Sequence, residues 1–131
     1  EMDEIKKIHQ YMVFSVNSLC QHVIYEYLKC NSLQNIGALY QGKRDLFRSG
    51  IKNSRFKVLQ CDGTYFQTLD YSSISDKPDI EYAEELTKDF GVASIPISVF
   101  SENNQHKNML RFCFAKQDET IAQATNLLCN I

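Results

Sequence analysis

The chain has 131 residues, the length of about one domain, and contains 44% hydrophobic and 23% charged residues. This composition excludes a disordered chain, and the lack of any run of about 18 apolar residues argues against a membrane span. Residues 1–57 carry nine Lys or Arg against five Asp or Glu, whereas residues 58–131 carry five against eleven. We therefore expect a soluble globular domain, with at most an appendage, whose two parts have different surroundings.

The cysteines predict a reducing compartment. They are odd in number, form no C-x-x-C pair and lie mostly in periodic apolar segments, where a free thiol packs like a small hydrophobic residue. The first residues also lack the apolar core of a signal peptide. Both observations favour a cytoplasmic protein. The cysteines are Cys20, Cys30, Cys61, Cys113 and Cys129.

Three helices are predicted in the first 50 residues. Apolar residues at three- and four-residue spacing place them at about residues 2–14, 18–30 and 35–49. Ser18, followed three positions later by Gln21, forms a capping box that starts the second helix. The segment from Cys30 to Ser32 should break that helix, and Gly50 should stop the third.

Beyond residue 50 the pattern changes to short β-prone runs. These runs are Phe56–Leu59, Tyr65–Leu69, Val92–Phe100 and Met109–Ala115. Asp62-Gly63, between the first two runs, is typical of a hairpin. Pro96 lacks a backbone N–H group, so the third run should be an edge strand or contain a bulge. A polar loop, Ser101 to Asn108, separates it from the fourth.

Two more helices should pack with these strands. Asp79 is a suitable N-cap for the first, and Gly91 supplies the left-handed residue that ends it. Asp118 and Glu119 suit the first turn of the second helix, which closes the chain. The pattern therefore predicts an α/β fold. The expected apolar faces are Ile80, Ala83, Leu86 and Phe90 in the first helix and Ile121, Ala124 and Leu128 in the second.

Arg111 is the residue that most needs an explanation. Strand alternation places Leu110, Phe112 and Phe114 on one face and Arg111 with Cys113 on the other. That second face is either solvated, which the pattern alone favours, or partly buried, in which case the guanidinium must meet an anion. In the second case its planar fork would match a carboxylate in a bidentate contact.

Other charged groups point less clearly to chemistry. Six basic residues could bind phosphates, but without interleaved aromatic residues they are more typical of a solvated helix face than of a nucleic-acid site. His9, His22 and His106 fit no metal-ligand spacing, so we expect no metal site. The six basic residues are Lys43, Arg44, Arg48, Lys52, Arg55 and Lys57.

Four stretches, taken together, resemble the C-terminal part of pyridoxal-phosphate-dependent aminotransferases of classes I and II. They are IKKIHQY with FSVN in residues 5–17, CDGTYF at 61–66, GVASIPISVF at 91–100 and LRFCFAK at 110–116. The likeness is greatest to the bacterial methionine aminotransferases and the related kynurenine and glutamine aminotransferases. It covers nearly the whole chain and implies a helical N-terminal stretch leading into an aminotransferase small domain, with a short, mainly antiparallel sheet packed by helices.

The resemblance also implies roles for particular residues. Arg111 would grip the α-carboxylate of the amino acid or 2-oxo acid substrate. Tyr65 and Phe66 would border the substrate side chain, and Pro96 would lie near the cleft between the two domains. Phe14-Ser15 would lie where a homodimer lends residues to the site of the neighbouring subunit. The implied reaction moves an amino group from a methionine-type or aromatic amino acid to a 2-oxo acid through pyridoxal phosphate.

The lysine that binds the cofactor in this family has no match in the chain. Lys6 and Lys7 lack the Ser-x-x-Lys context, so we expect the chain alone to be inactive and not to bind pyridoxal phosphate. Residues 1–50 would end the large domain and residues 51–131 would form the small domain, and the absence of an initiator Met agrees with a piece of a larger enzyme. Two alternatives remain open: a free-standing small-molecule-binding or regulatory module, and a basic-helix interaction domain.

Overall fold

The computed structural model describes residues 1–30, 35–101 and 108–131. Within these ranges the chain forms two compact units, Glu1–Ile36 and Gly37–Ile131. None of the described helices is both long enough and apolar enough to cross a membrane.

The first unit contains two helices, α1 (Met2–Met12) and α2 (Ser18–Cys30), as the apolar spacing predicts. Every residue of both helices is described, and none is buried. The predicted capping box is wrong: the N–H group of Cys20 donates to Oδ1 of Asn17 at 3.1 Å, so Asn17 caps α2. The helix thus begins one residue earlier than a Ser18 cap requires. Most of the predicted break after Cys30 lies outside the described residues.

Helix α3 (Ile36–Gly50) ends at Gly50 as predicted, but Gly50 does not adopt the left-handed conformation typical of a glycine that ends a helix. Among the described glycines only Gly91 has a positive φ, of 70°. Gly50 is instead needed for close packing, because a Cβ atom there would lie 2.8 Å from Cβ of Thr125. Glycine at this position lets the end of α3 approach the C-terminal helix.

The described residues form a four-stranded antiparallel sheet in the order β1-β2-β4-β3. Its strands are β1 (Lys57–Val58), β2 (Phe66–Asp70), β3 (Ile95–Pro96) and β4 (Met109–Cys113). The predicted hairpin between β1 and β2 is confirmed, with Val58 paired to Leu69. Its left-handed residue is Thr64, at φ 79°, and not Gly63, since the connection is longer than a two-residue turn.

Helix α4 (Asp79–Asp89) ends before Gly91 as predicted, but its start and its buried face differ from the prediction. Pro78 is the N-cap residue, and the side chain of Asp79 does not cap the helix. Ala83 and Leu86 are buried as predicted and Tyr82 joins them, whereas the predicted Ile80 and Phe90 are exposed. The buried stripe is therefore rotated around the helix, because Tyr82 packs its ring on Tyr71 at 4.3 Å between centroids.

The predicted strand Val92–Phe100 is wrong for most of its length. Only Ile95 and Pro96 pair with β4, and a 3₁₀ helix follows at Ser98–Phe100. Pro96 has no N–H group to extend the ladder, and Ile97 turns the chain with φ −83° and ψ −28°. Pro96 does lie on an edge strand, as expected. Residues 102–107 of the predicted polar loop lie outside the described residues.

Helix α5 (Asp118–Cys129) closes the chain as predicted and buries Ile121, Thr125 and Leu128. Its residues join those of α3, α4 and one face of the sheet in a single core of the second unit. The most deeply buried of these side chains are Ile51, Leu69, Tyr71, Leu86, Leu110, Phe114 and Leu128.

Candidate carboxylate-binding site

The two faces of the sheet differ in burial. On β2 and β4 one set of alternating side chains is buried in the core, and the other set is half-buried or exposed on the opposite face, which we call the open face. The core set is Gln67, Leu69, Leu110 and Phe112. The open-face set is Phe66, Thr68, Asp70, Met109, Arg111 and Cys113.

Arg111 occupies an interior position of the sheet. Its strand pairs on both sides, with Thr68 opposite on β2 and Ile95 opposite on β3. The side chain is half-buried, and strand pairing on two sides fixes the backbone from which it extends. The guanidinium thus starts from one of the most constrained positions on the open face.

Two aromatic rings lie against this guanidinium. Its Cζ atom is 3.8 Å from the ring centroid of Phe66 and 5.4 Å from that of Phe100. Tyr65 in turn meets Phe66 edge-on, with 5.7 Å between centroids and an interplanar angle of 85°. Stacking occupies a face of the guanidinium but leaves the N–H groups on its rim free to bind a planar anion.

No acidic partner meets Arg111 in the described parts of the chain. None of the ion pairs there includes it, and its Nε atom is buried without a hydrogen-bond acceptor. A buried donor without an acceptor costs about 1 to 3 kcal/mol, and more when it is charged. The arrangement therefore favours a bound anion over the fully solvated interpretation of the sequence pattern.

Of the other predicted site residues, Phe66, Tyr65 and Pro96 belong to the second unit with Arg111, and Phe14-Ser15 belong to the first. Phe66 contacts Arg111 directly, and Tyr65 contacts Phe66 while remaining 50% exposed. Pro96 lies on the strand next to β4 but pairs with Leu110, the neighbour of Arg111. Phe14-Ser15 belongs to the first unit, where Phe14 is 91% exposed.

Sequence reasoning missed the contribution of Phe100, because it placed this residue in a strand. The only sequence feature that could have indicated the end of the strand before Phe100 is Pro96, where strand pairing stops. It also missed Gln67, which is fully buried and whose Nε2 donates to the carbonyl groups of Leu59 at 2.7 Å and Thr68 at 2.9 Å. The bond to Leu59, the residue that follows β1, ties the end of β1 to β2 beneath the open face.

Two of the six basic residues named above make contacts within the fold. Lys43 pairs with Asp118, and Arg44 pairs with Asp45 and donates to the carbonyl of Cys61 at 3.2 Å. These contacts leave a smaller basic surface than the sequence suggests. Among the described residues no cluster of three His, Cys, Asp or Glu could hold a metal ion, and His106 lies outside them.

Comparison with known proteins identifies the family of this chain. The pattern of the family described as "Aminotransferase class I and II" matches residues 4–128. The chain belongs to this family. Methionine aminotransferase of Escherichia coli is 38% identical over 127 residues, 95% of this chain and 33% of that protein. Kynurenine–oxoglutarate transaminase of Dictyostelium discoideum is 30% identical over 148 aligned positions, 95% of this chain and 34% of that protein.

Solved structures agree with the sequence matches. YbdL from Escherichia coli, identified as having a methionine aminotransferase function, superposes with a TM-score of 0.85 at 37% identity over 98% of this chain. N-Succinyldiaminopimelate aminotransferase from Mycobacterium tuberculosis gives 0.79 at 26% identity over 92% of this chain. The chain covers 34% and 32% of these two structures, so it spans about a third of its relatives. The predicted fold class and family are confirmed.

Proposed function

We propose that this chain is the substrate-carboxylate-binding part of a pyridoxal-phosphate-dependent aminotransferase. Such an enzyme moves an amino group from an amino acid to a 2-oxo acid. The observation that carries the proposal is the guanidinium of Arg111, which stacks on Phe66 and meets no acidic partner among the described residues. Amino acids and 2-oxo acids share an α-carboxylate, so one arginine can orient both substrates.

The aromatic surroundings support an apolar or aromatic donor amino acid. Phe66 and Phe100 flank the guanidinium, and Tyr65 extends the aromatic surface from the edge of Phe66. Methionine and kynurenine, which name the two relatives above, both have side chains that such a surface accommodates. We propose methionine-type or aromatic amino acids as donors, with Pro96 near the cleft.

The described residues do not fit the cofactor itself. When bound, pyridoxal phosphate would supply an electron sink for the reacting amino acid, and a lysine side chain would hold it. Lys6 and Lys7 have 72% and 66% exposed side chains and pair with Asp3 and Glu4 along the helix surface. Such solvated ammonium groups do not form a cofactor pocket. We therefore propose that the remainder of the enzyme supplies the lysine.

The exposed faces of α1 and α2 support a place in a larger enzyme. Both helices carry regular apolar residues, such as Ile5 and Leu19 at 58% and 72% exposure, yet bury none. We propose that residues 1–50 end the large domain and lead into a small domain at 51–131. The Phe14-Ser15 segment would contact the neighbouring subunit of a cytoplasmic homodimer.

A second candidate is a free-standing binding module. It is favoured by the second unit, which has its own core and could hold a small carboxylate on the open face. In that case the chain would bind 2-oxo acids without pyridoxal phosphate and without catalysis. The two candidates thus differ in cofactor requirement.

The full-length protein, expressed from its complete gene, tests the proposal. We expect bound-cofactor absorbance and transamination from methionine or kynurenine to a 2-oxo acid, with kcat/KM for these donors at least about tenfold above that for aspartate. The 131-residue chain alone should give no aldimine absorbance with added pyridoxal phosphate. A full-length protein that binds 2-oxo acids but transaminates no amino acid would favour the binding module and contradict the enzyme.

A further inference from the structure

We propose that Asp79 and Ser98 are positioning residues that hold Phe100 against Arg111 and so set the affinity of the carboxylate site. The inference rests on the proposed aminotransferase function. Asp79 does not touch the guanidinium. It would act through the 3₁₀ helix Ser98–Phe100, which it anchors to α4.

Asp79 is buried, and both of its carboxylate oxygens accept hydrogen bonds from one residue, Ser98. The side chain belongs to a residue only 4% exposed, and Oδ2 accepts the backbone N–H of Ser98 at 2.7 Å. Oδ1 accepts the hydroxyl of the same Ser98 at 2.6 Å. No Lys or Arg pairs with Asp79 in the described ranges. A buried carboxylate without a cation depends on such bonds, so this contact holds Ser98 firmly.

Ser98 begins the short segment that carries Phe100. Just before it, the N–H of Ile97 donates to the carbonyl of Met109 on β4 at 3.3 Å. Just after it, Phe100 N–H donates to the carbonyl of Ile97 at 3.0 Å and closes the 3₁₀ turn. Phe100 therefore lies two residues beyond the anchored Ser98 in the same 3₁₀ turn, so a shift of Ser98 should move the ring.

The two rings beside Arg111 are held in different ways. Phe66 lies on β2 and is fixed by pairing with Cys113 on β4. Phe100 is 66% exposed and is carried by a three-residue helix outside the sheet. The contact from Asp79 to Ser98 thus controls the less constrained of the two rings. Without it, Arg111 would lose one aromatic neighbour and the carboxylate site would admit more water.

The expected kinetic signature is a change in substrate binding. The carboxylate is bound before and during the reaction, so loss of the ring contact should raise KM more than it lowers kcat. In the full-length enzyme, Asp79→Ala should raise KM for the donor amino acid about two- to fivefold, the equivalent of one exposed cation–π contact. Bound-cofactor absorbance should not change.

Three variants make the test specific. Asp79→Asn keeps the shape, its oxygen can accept the N–H of Ser98 and its amide can donate to the hydroxyl, so it should restore most of the affinity. Ser98→Ala keeps the backbone bond and should lie between Asp79→Ala and the wild type; it also replaces Asp79→Ala if that variant fails to fold. In a double-mutant cycle, Phe100→Ala should make Asp79→Ala nearly silent, because both remove the same contact.

Ser54→Ala is the matched control for general destabilisation. Ser54 Oγ also makes two hydrogen bonds, donating to the carbonyl of Ile51 at 2.8 Å and accepting the N–H of Phe56 at 3.3 Å. This control should lower Tm without changing KM. An unchanged KM in folded Asp79→Ala, additivity with Phe100→Ala, or an equal KM increase in Ser54→Ala would overturn the proposal. An inactive wild type would overturn the proposed function first, and the positioning proposal with it.

Discussion

The core face and the open face of the sheet come from the same strands but meet different requirements. Leu110 and Phe112 fill the core with apolar volume, whereas Arg111 between them extends to the other face. On the core face the apolar side chains pack on one another, and the one polar member, Gln67, donates two hydrogen bonds to backbone carbonyls although its Oε1 accepts none among the described residues. On the open face a charged group has rings beside it but no acidic partner in the described residues. Packing accounts for the first face, whereas the guanidinium on the second face is the basis of the proposed carboxylate site.

The largest effect that separates the two faces should come from Phe112→Ala. Phe112 is 3% exposed, and its ring lies 6.2 Å from the rings of both Phe47 and Phe56. Its truncation should lower the free energy of unfolding by about 3 to 5 kcal/mol. Arg111→Ala should change it by less than about 1 kcal/mol, because it removes both a ring contact and an unpartnered donor. Urea unfolding of the chain measures both values, and equal losses would remove the distinction between the faces.

A smaller effect should appear where α3 meets α5 on the core side. Gly50→Ala places Cβ 2.8 Å from Cβ of Thr125 and should cost about 1 to 3 kcal/mol of unfolding free energy. Gly42→Ala is the control in the same helix, since nothing lies within 4 Å of its added Cβ. That change should stabilise the chain by up to about 1 kcal/mol. Thermal melts of the two variants should shift in opposite directions, and a shared direction would contradict the contact.

The smallest effect at neutral pH should come from Tyr71→Phe. The hydroxyl of Tyr71 donates to the carbonyl of Lys77 at 2.9 Å, a bond worth about 1 kcal/mol. Burial, followed by the charge of Asp79, raises the pKa of Tyr71 above its usual value of 10.0. The folded state therefore holds this proton more tightly than the unfolded state, so stability is retained below pH 10 and falls as the pH rises further.

The alkaline range separates the hydrogen bond from the ionisation. Above about pH 10 the wild type should lose stability steeply, while Tyr71→Phe should lose less because it has no proton to release there. Burial also raises the pKa of Tyr82, which accounts for the part of the slope that remains in Tyr71→Phe. Denaturant titrations between pH 8 and 11 check this. Identical slopes in both proteins would show that Tyr71 is not the group involved.

The sequence predicted what depends on local pattern. Apolar periodicity identified the five described α-helices, and strand alternation placed Arg111 on the face of the sheet opposite to Leu110 and Phe112. Side-chain contacts between residues far apart in the sequence could not be predicted from local pattern. Asp79 has a residue type that often caps helices, but its carboxylate instead accepts hydrogen bonds from the N–H and the hydroxyl of Ser98. In the same way, the glycine at position 50 is required by its close packing against Thr125 and not by a turn.

The structure brings two of the predicted site residues, Arg111 and Phe66, into contact, and it adds Phe100, which was not predicted. Arg111 and Phe66 could be named because one lies on an alternating strand and both match a family pattern. Phe100 could not, because its position depends on where Pro96 ends the ladder and on the bond that holds Ser98. The roles of all the predicted site residues, which are Arg111, Phe66, Tyr65, Pro96, Phe14 and Ser15, remain predictions.

The central claim is that Arg111 recognises the α-carboxylate of the substrate, and carboxylate discrimination tests it most directly. The measurement compares kcat/KM for methionine and methionine amide in the full-length enzyme, in the wild type and in Arg111→Ala. We predict that the wild type prefers the acid by about a hundredfold or more, the value of charge-assisted hydrogen bonds to a guanidinium. Arg111→Ala should keep its bound-cofactor absorbance. It should lose most of this preference because kcat/KM falls for methionine and not for methionine amide. An unchanged preference in Arg111→Ala would contradict the account.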